Sequence, residues 1–136
     1  MKSTARHLLI ATFTAVLFLS SCKKDSTSSK TKLLTSGTWT LRTMELQKKD
    51  GTWEVQSNAT IYSLTFKDDH TVTAVTGTQV SVKSWSMNDD FTQLNIIGTS
   101  SSGTAATVNE LSSSTLQISQ PFVLNGYTNE RDTFSH

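Results

Sequence analysis

Tyr62-Ser63-Leu64-Thr65-Phe66-Lys67-Asp68-Asp69-His70, followed by Thr71 to Thr76, is the stretch on which the fold class turns. Tyr62, Leu64 and Phe66 alternate with Ser63, Thr65 and Lys67. Successive side chains of a strand point to opposite faces, so this pattern describes a strand with one apolar and one polar side. Lys67-Asp68-Asp69-His70 supplies turn chemistry, and Thr71 to Thr76 returns as the partner strand.

Outward from this hairpin the same grammar repeats. Stretches rich in Val, Ile, Thr and aromatics recur at roughly 8–12-residue spacing, as in antiparallel sandwiches and barrels. Towards the N-terminus, Trp39 and Leu41 lie two apart, and Met44 and Leu46 fall on the other parity. A bulge or a twist within Thr38 to Gln47 is expected, and Asp50-Gly51 is a hairpin turn signal. Towards the C-terminus, Gly77-Thr78 turns the chain. Val80 and Val82 then precede Trp85 and Met87, which reads as a second parity change. Asn88-Asp89-Asp90 is a turn, and Leu94, Ile96 and Ile97 mark a strand ended by Gly98 and a Ser-rich loop to Gly103. Thr104 to Leu111 follows, then a turn at Ser112 to Ser114. Leu116 and Ile118 define a strand that Pro121 is expected to end, because proline cannot donate to a ladder. Tyr127 to Phe134 closes the series. The expected fold is all-β, an antiparallel eight-stranded up-and-down barrel, with a β-sandwich as the alternative.

The chain begins differently. Lys2, Arg6 and His7 precede Leu8 to Leu19, an uncharged apolar run. It is shorter than the roughly 20 residues needed to span a bilayer as a helix, and it fits the core of a secretory signal. It ends in Leu19-Ser20-Ser21-Cys22, and Cys22 is the only cysteine, which excludes an internal disulfide. This ending resembles the lipobox of bacterial lipoproteins. The resemblance implies that Cys22 receives a diacylglyceryl group, that cleavage occurs before it, and that its new amine is acylated, with palmitate as the expected chain. Residues 1–21 are then a lipoprotein signal peptide, residues 22–32 a Ser-rich flexible tether, and residues 33–136 the barrel domain. Two or three acyl chains hold a protein at a bilayer stably, at roughly 0.8 kcal/mol per buried CH₂. The Cys22-Lys23-Lys24-Asp25 start is similar to lipoproteins of the Bacteroidota. The expected location is the outer membrane, at its periplasmic face or the cell surface.

Several barrel motifs also resemble the small lipocalin-like lipoprotein domains of the Bacteroidota. Leu33-Leu34-Thr35-Ser36-Gly37-Thr38-Trp39-Thr40-Leu41 is similar to their LxGxWxL opening. Leu64-Thr65-Phe66-Lys67-Asp68-Asp69 is similar to their hairpin motif, with His70 where glycine is usual. Trp85-Ser86-Met87-Asn88-Asp89-Asp90 and Glu110-Leu111-Ser112 with Leu116-Gln117-Ile118 fit later motifs of the same family. The resemblance spans residues 33–120. It implies a lipocalin-like barrel, and it makes Arg131 the candidate for the arginine that stacks on the Gly-x-Trp tryptophan, Trp39. Ordinary core packing is the alternative for Trp39.

Composition narrows the function further. Charged residues make up 17% of the chain, against a typical figure of roughly 25%. The formal net charge of +1 becomes −1 when Lys2 and Arg6 leave with the signal, which argues against a nucleic-acid partner. Of the three histidines, His7 leaves with the signal and His136 stands last, so only His70 remains beside a carboxylate pair. Asp68, Asp69 and His70 are adjacent and are read as turn residues bonding their own backbone; no metal or cofactor is expected. Glu130-Arg131-Asp132 reads as a solvated strand. The serines have no partnering histidine, so no catalytic triad is assembled, and an enzyme is not expected. The expected function is a lipid-anchored, monomeric envelope protein that binds a small apolar ligand inside its barrel. The alternative is an interaction protein with a filled core that acts through loops such as Thr99 to Gly103. The candidate ligand-facing residues are Trp39, Leu41, Tyr62, Leu64, Phe66, Trp85, Met87, Leu94, Ile96, Leu116 and Ile118.

Overall fold

The computed structural model describes residues 29–98 and 103–136. The signal segment, Cys22, most of the expected tether and residues 99–102 lie outside the described residues. A helical turn, α1, covers residues 29–34. Nine strands follow: β1 (Thr38–Lys48), β2 (Trp53–Val55), β3 (Tyr62–Phe66), β4 (Thr71–Thr76), β5 (Gln79–Met87), β6 (Gln93–Ile97), β7 (Gly103–Leu111), β8 (Thr115–Leu124) and β9 (Tyr127–Ser135).

Every pairing is antiparallel, and the strands neighbour one another in the order β1, β3, β4, β5, β6, β7, β8, β9. β9 pairs back onto β1, from Thr40↔Ser135 to Lys48↔Tyr127. That last ladder closes the sheet into an eight-stranded up-and-down barrel of lipocalin-like architecture, and the sandwich alternative is excluded. Closure removes the free edges that an open sheet of this size would expose. β2 stands outside the ring as a short hairpin on the far half of β1, with Glu45↔Val55 and Gln47↔Trp53 in register.

The alternation read in the sequence places the apolar residues inside. Trp39 faces Leu64, Leu64 faces Ala74, Trp85 faces Ile96, Leu94 faces Ala106 and Leu116 faces Phe134 across successive ladders. The expected bulge in β1 lies between Leu41 and Thr43, where the register with β9 shifts. It turns Met44 and Leu46 inward along with Trp39 and Leu41.

One end of the barrel is closed and packed. α1, the turn at residues 67–70, the turn at residues 88–92 and the turn at Ser112 to Ser114 all lie there. Leu34 of α1 is fully buried with Trp39, Phe66, Val72, Leu94, Leu116 and Phe134. The Trp39 indole donates to the Leu34 carbonyl at 2.9 Å, which satisfies one of the acceptors that the end of a helix leaves free. The Phe66 and Trp85 rings meet edge-on at 5.7 Å, and the Trp85 indole donates to the Lys67 carbonyl at 3.0 Å. His70 adopts φ 63°, the left-handed conformation that glycine usually supplies in this hairpin, and its ring lies 5.0 Å from that of Trp85.

Five expectations are corrected. β5 has no parity change, because its pairing with β4 and β6 is in register throughout. Val80 and Val82 therefore face solvent, and Ser81 and Lys83 share the inward parity of Trp85. Pro121 does not end β8, which continues to Leu124 with Pro121 opposite Asn129. The β7–β8 ladder ends at Thr107↔Ser119 and the β8–β9 register shifts just after Pro121, so the proline sits where the ladders are already interrupted. The expected tether is helical from residue 29. Glu130 and Asp132 are not solvated but buried, at 9% and 2% exposure. Arg131 does not reach Trp39: it points outward, bonds Glu45 at 2.7 Å and lies 4.2 Å from the centre of the Trp53 ring. His136 instead stacks on Trp39, with ring centres 3.8 Å apart. Gly37 leaves room for that ring, since a Cβ there would meet it at 3.1 Å.

Candidate functional site

The half of the barrel away from α1 is hollow. A cavity of about 350 Å³ opens there. Its apolar wall comes from Tyr62 and Leu64 of β3, Val72 and Ala74 of β4, Ile96 of β6, Ala106 of β7 and Ile118 of β8. Ala74 and Ala106 are the smallest side chains of this wall. Of the residues singled out in the sequence, Tyr62, Leu64, Ile96 and Ile118 line the cavity. Trp39, Leu41, Phe66, Trp85, Leu94 and Leu116 belong to the packed core of the closed half, and Met87 packs against that core. The candidate set is thus divided between the packed floor and the cavity wall, with Leu64 and Ile118 part of both.

The rest of the lining is polar and was missed. Thr76, Ser81, Lys83, Gln120 and Asp132 also face the cavity. Ser81 and Lys83 are exposed, so solvent reaches the space. Asp132 is the buried member. Tyr62 donates its phenol to Asp132 Oδ2 at 2.6 Å, and Gln120 Nε2 donates to Glu130 Oε1 at 3.1 Å. Asp132 Oδ1 is buried and has no hydrogen-bond partner among the described residues. β5, which carries Lys83, lies four strands from β9 in either direction, so Lys83 stands on the wall opposite the two carboxyls.

Electrostatics follow from that burial. Loss of solvent pushes the Asp132 carboxyl up to about 6; the Tyr62 hydrogen bond pulls the other way, and the neighbouring Glu130 carboxyl adds to the rise through both its charge and a side-chain hydrogen bond. Burial, and then the Asp132 charge, hold the Tyr62 phenol well above its ordinary value, so it remains a donor. The signal for the buried acids was present in the sequence. Glu130 and Asp132 share the parity of Phe134, which is the apolar side of β9, but acids beside an arginine read as a solvated face.

The other polar cluster is structural. Asp69 accepts from the Thr71 amide at 2.9 Å and from its hydroxyl at 2.6 Å, and these bonds hold its carboxyl below the ordinary range. Among the described residues no group of three or more His, Cys, Asp or Glu side chains is placed to hold a metal ion. Compared with known proteins, the chain matches no family model and no curated protein.

Proposed function

We propose that the chain is an outer-membrane lipoprotein, anchored through acylated Cys22, whose barrel binds a small, largely apolar molecule without transforming it. The observation that carries this reading is the cavity. At about 350 Å³ it falls inside the roughly 300–1,000 Å³ range of ligand sites, and its lining joins an apolar wall to a comparable share of polar surface that can orient a bound molecule. The anchor rests on the resemblance of Leu19-Ser20-Ser21-Cys22 to a lipobox.

The two parts fit one geometry. The first described residue of α1, residue 29, lies on the closed end, seven residues after Cys22. Even fully extended, that length reaches only about 25 Å. The closed end is then held towards the lipid and the cavity opens away from it. Ile61, Val80, Val123 and Leu124 lie exposed at the open end and would meet an arriving apolar molecule first.

Native mass spectrometry of the protein from its own host tests the reading. A co-purified small apolar mass that disappears in an Ala106→Trp variant is expected. A clean apo mass in both, with a protein partner captured by crosslinking through the exposed Val123–Leu124 hairpin, would favour the interaction protein instead.

A further inference from the structure

We propose that the cavity selects ligands with a cationic, hydrogen-bond-donating head, a primary ammonium on a short apolar body, and that Asp132 Oδ1 receives that head. This inference rests on the ligand-binding reading above and gives it a chemical class.

The argument begins with what the protein leaves unfinished. A buried polar atom without a partner costs about 1–3 kcal/mol, more when charged. Asp132 is 2% exposed, lines the cavity, and has no donor on Oδ1 among the described residues; its side-chain contact with Glu130 sets carboxyl against carboxyl. Its other oxygen is taken by Tyr62, and the adjacent Glu130 has one oxygen taken by Gln120. The acceptors that remain ask for donors, and a ligand that brought only acceptors would add to the deficit.

Charge narrows the class further. Asp132 and Glu130 stand two residues apart on the inward side of β9. The ion pairs among the described residues, Lys48–Glu54 and Arg131–Glu45, do not involve them. An alcohol would satisfy a lone pair but not the charge. An ammonium offers three donors and a full positive charge in one compact group. A fatty acid of the same length would set its carboxylate against two others, with only Lys83 on the far wall in its favour. A bare metal ion fits poorly, since only two carboxyls are placed and no third His, Cys, Asp or Glu joins them among the described residues. Beyond the head, Leu64, Ala74, Ile96 and Ala106 supply the surface for an apolar body.

Calorimetric titration of the full-length protein with 1-aminooctane, 1-octanol and octanoate at pH 7.5 tests this. The amine is expected to bind at least tenfold more tightly than the alcohol, and octanoate most weakly. Asp132→Asn keeps an acceptor for Tyr62 and should bring the amine down to the affinity that the alcohol shows for the same variant. The ranking on the unaltered protein stands even if the variant folds poorly. Equal affinities, or an amine preference that survives Asp132→Asn, would overturn the inference and leave the binding reading intact. Tightest binding of octanoate would overturn it in favour of Lys83. Absence of binding by all three would overturn the ligand-binding reading and this inference with it.

Discussion

At Asp132, burial and charge oppose each other, and the conflict has a measurable sign. The native carboxyl keeps its proton up to about 6, whereas its ordinary value is 3.8. Between these values the folded state binds more protons than the unfolded one, so this group's contribution to stability falls as pH rises through the window. The groups facing it are Tyr62 from β3, Gln120 from β8, Glu130 from its own strand and Lys83 from the opposite wall. Asp132→Asn is therefore expected to match the parent near pH 4 and to exceed it by about 1–3 kcal/mol at pH 7.5 in urea unfolding. A variant weaker than the parent at pH 7.5 would contradict this. Trp39 shows the reverse balance, with a polar atom fully satisfied. Trp39→Phe removes the donor to the Leu34 carbonyl and leaves a void, and is expected to cost about 2–4 kcal/mol in the same measurement. At this scale the sequence was legible where residues are apolar: Tyr62, Leu64 and Phe66 lie inside, as their alternation requires. It was illegible where polar residues share the inner parity. Ser81, Lys83, Glu130 and Asp132 look like surface because solubility and cavity lining call for the same residue types.

Among the elements, the β8–β9 hairpin is held by its turn. Asn125 and Gly126 have φ of 52° and 90°, positive at both central positions, as a two-residue type I′ turn requires. The Asn-Gly pair could have located this hairpin, but Pro121 drew attention as a terminator. Proline ends a strand only where its missing donor was needed, and above Ser119 the β7 side of β8 has no ladder. Gly126→Ala has open space for its methyl group but a strained backbone. It is expected to cost about 1–2 kcal/mol, whereas Pro121→Ala should change stability by less than about 0.5 kcal/mol. Chemical denaturation of both variants checks the contrast, and equal costs would contradict it. β2 depends on a different device: Arg131 bridges β9 to the β1–β2 hairpin through Glu45 and the Trp53 ring. Arg131→Ala should cost about 1–2 kcal/mol and speed amide exchange in β2, while leaving exchange in β3 and β4 unchanged. The hairpin turn at Asp50-Gly51 was readable in the sequence. The partner of Arg131 was not, because no local pattern distinguishes Trp53 outside the barrel from Trp39 within it.

The whole molecule is a barrel with two unlike ends. Aromatics, leucines and α1 fill one end, and small residues with polar neighbours leave the other end hollow. That division explains why the architecture could be read early and the site only in part. Period-two alternation fixes which side of each strand is inside, but not how far the opposite walls stand apart, and cavity volume depends on the latter. If Cys22 is the anchor, Cys22→Ser should leave an uncleaved, unacylated precursor, seen by intact mass, while the circular dichroism of the barrel is unchanged. The central claim is that the hollow half takes up a small apolar body. Methyl NMR of the protein titrated with 1-octanol tests it most directly. Saturable shifts at the methyls of Leu64, Ala74, Ile96, Ala106 and Ile118, with Leu94 and Leu116 of the packed half unmoved, are the predicted result. Shifts confined to Val123 and Leu124 at the surface, or none at saturating octanol, would contradict it.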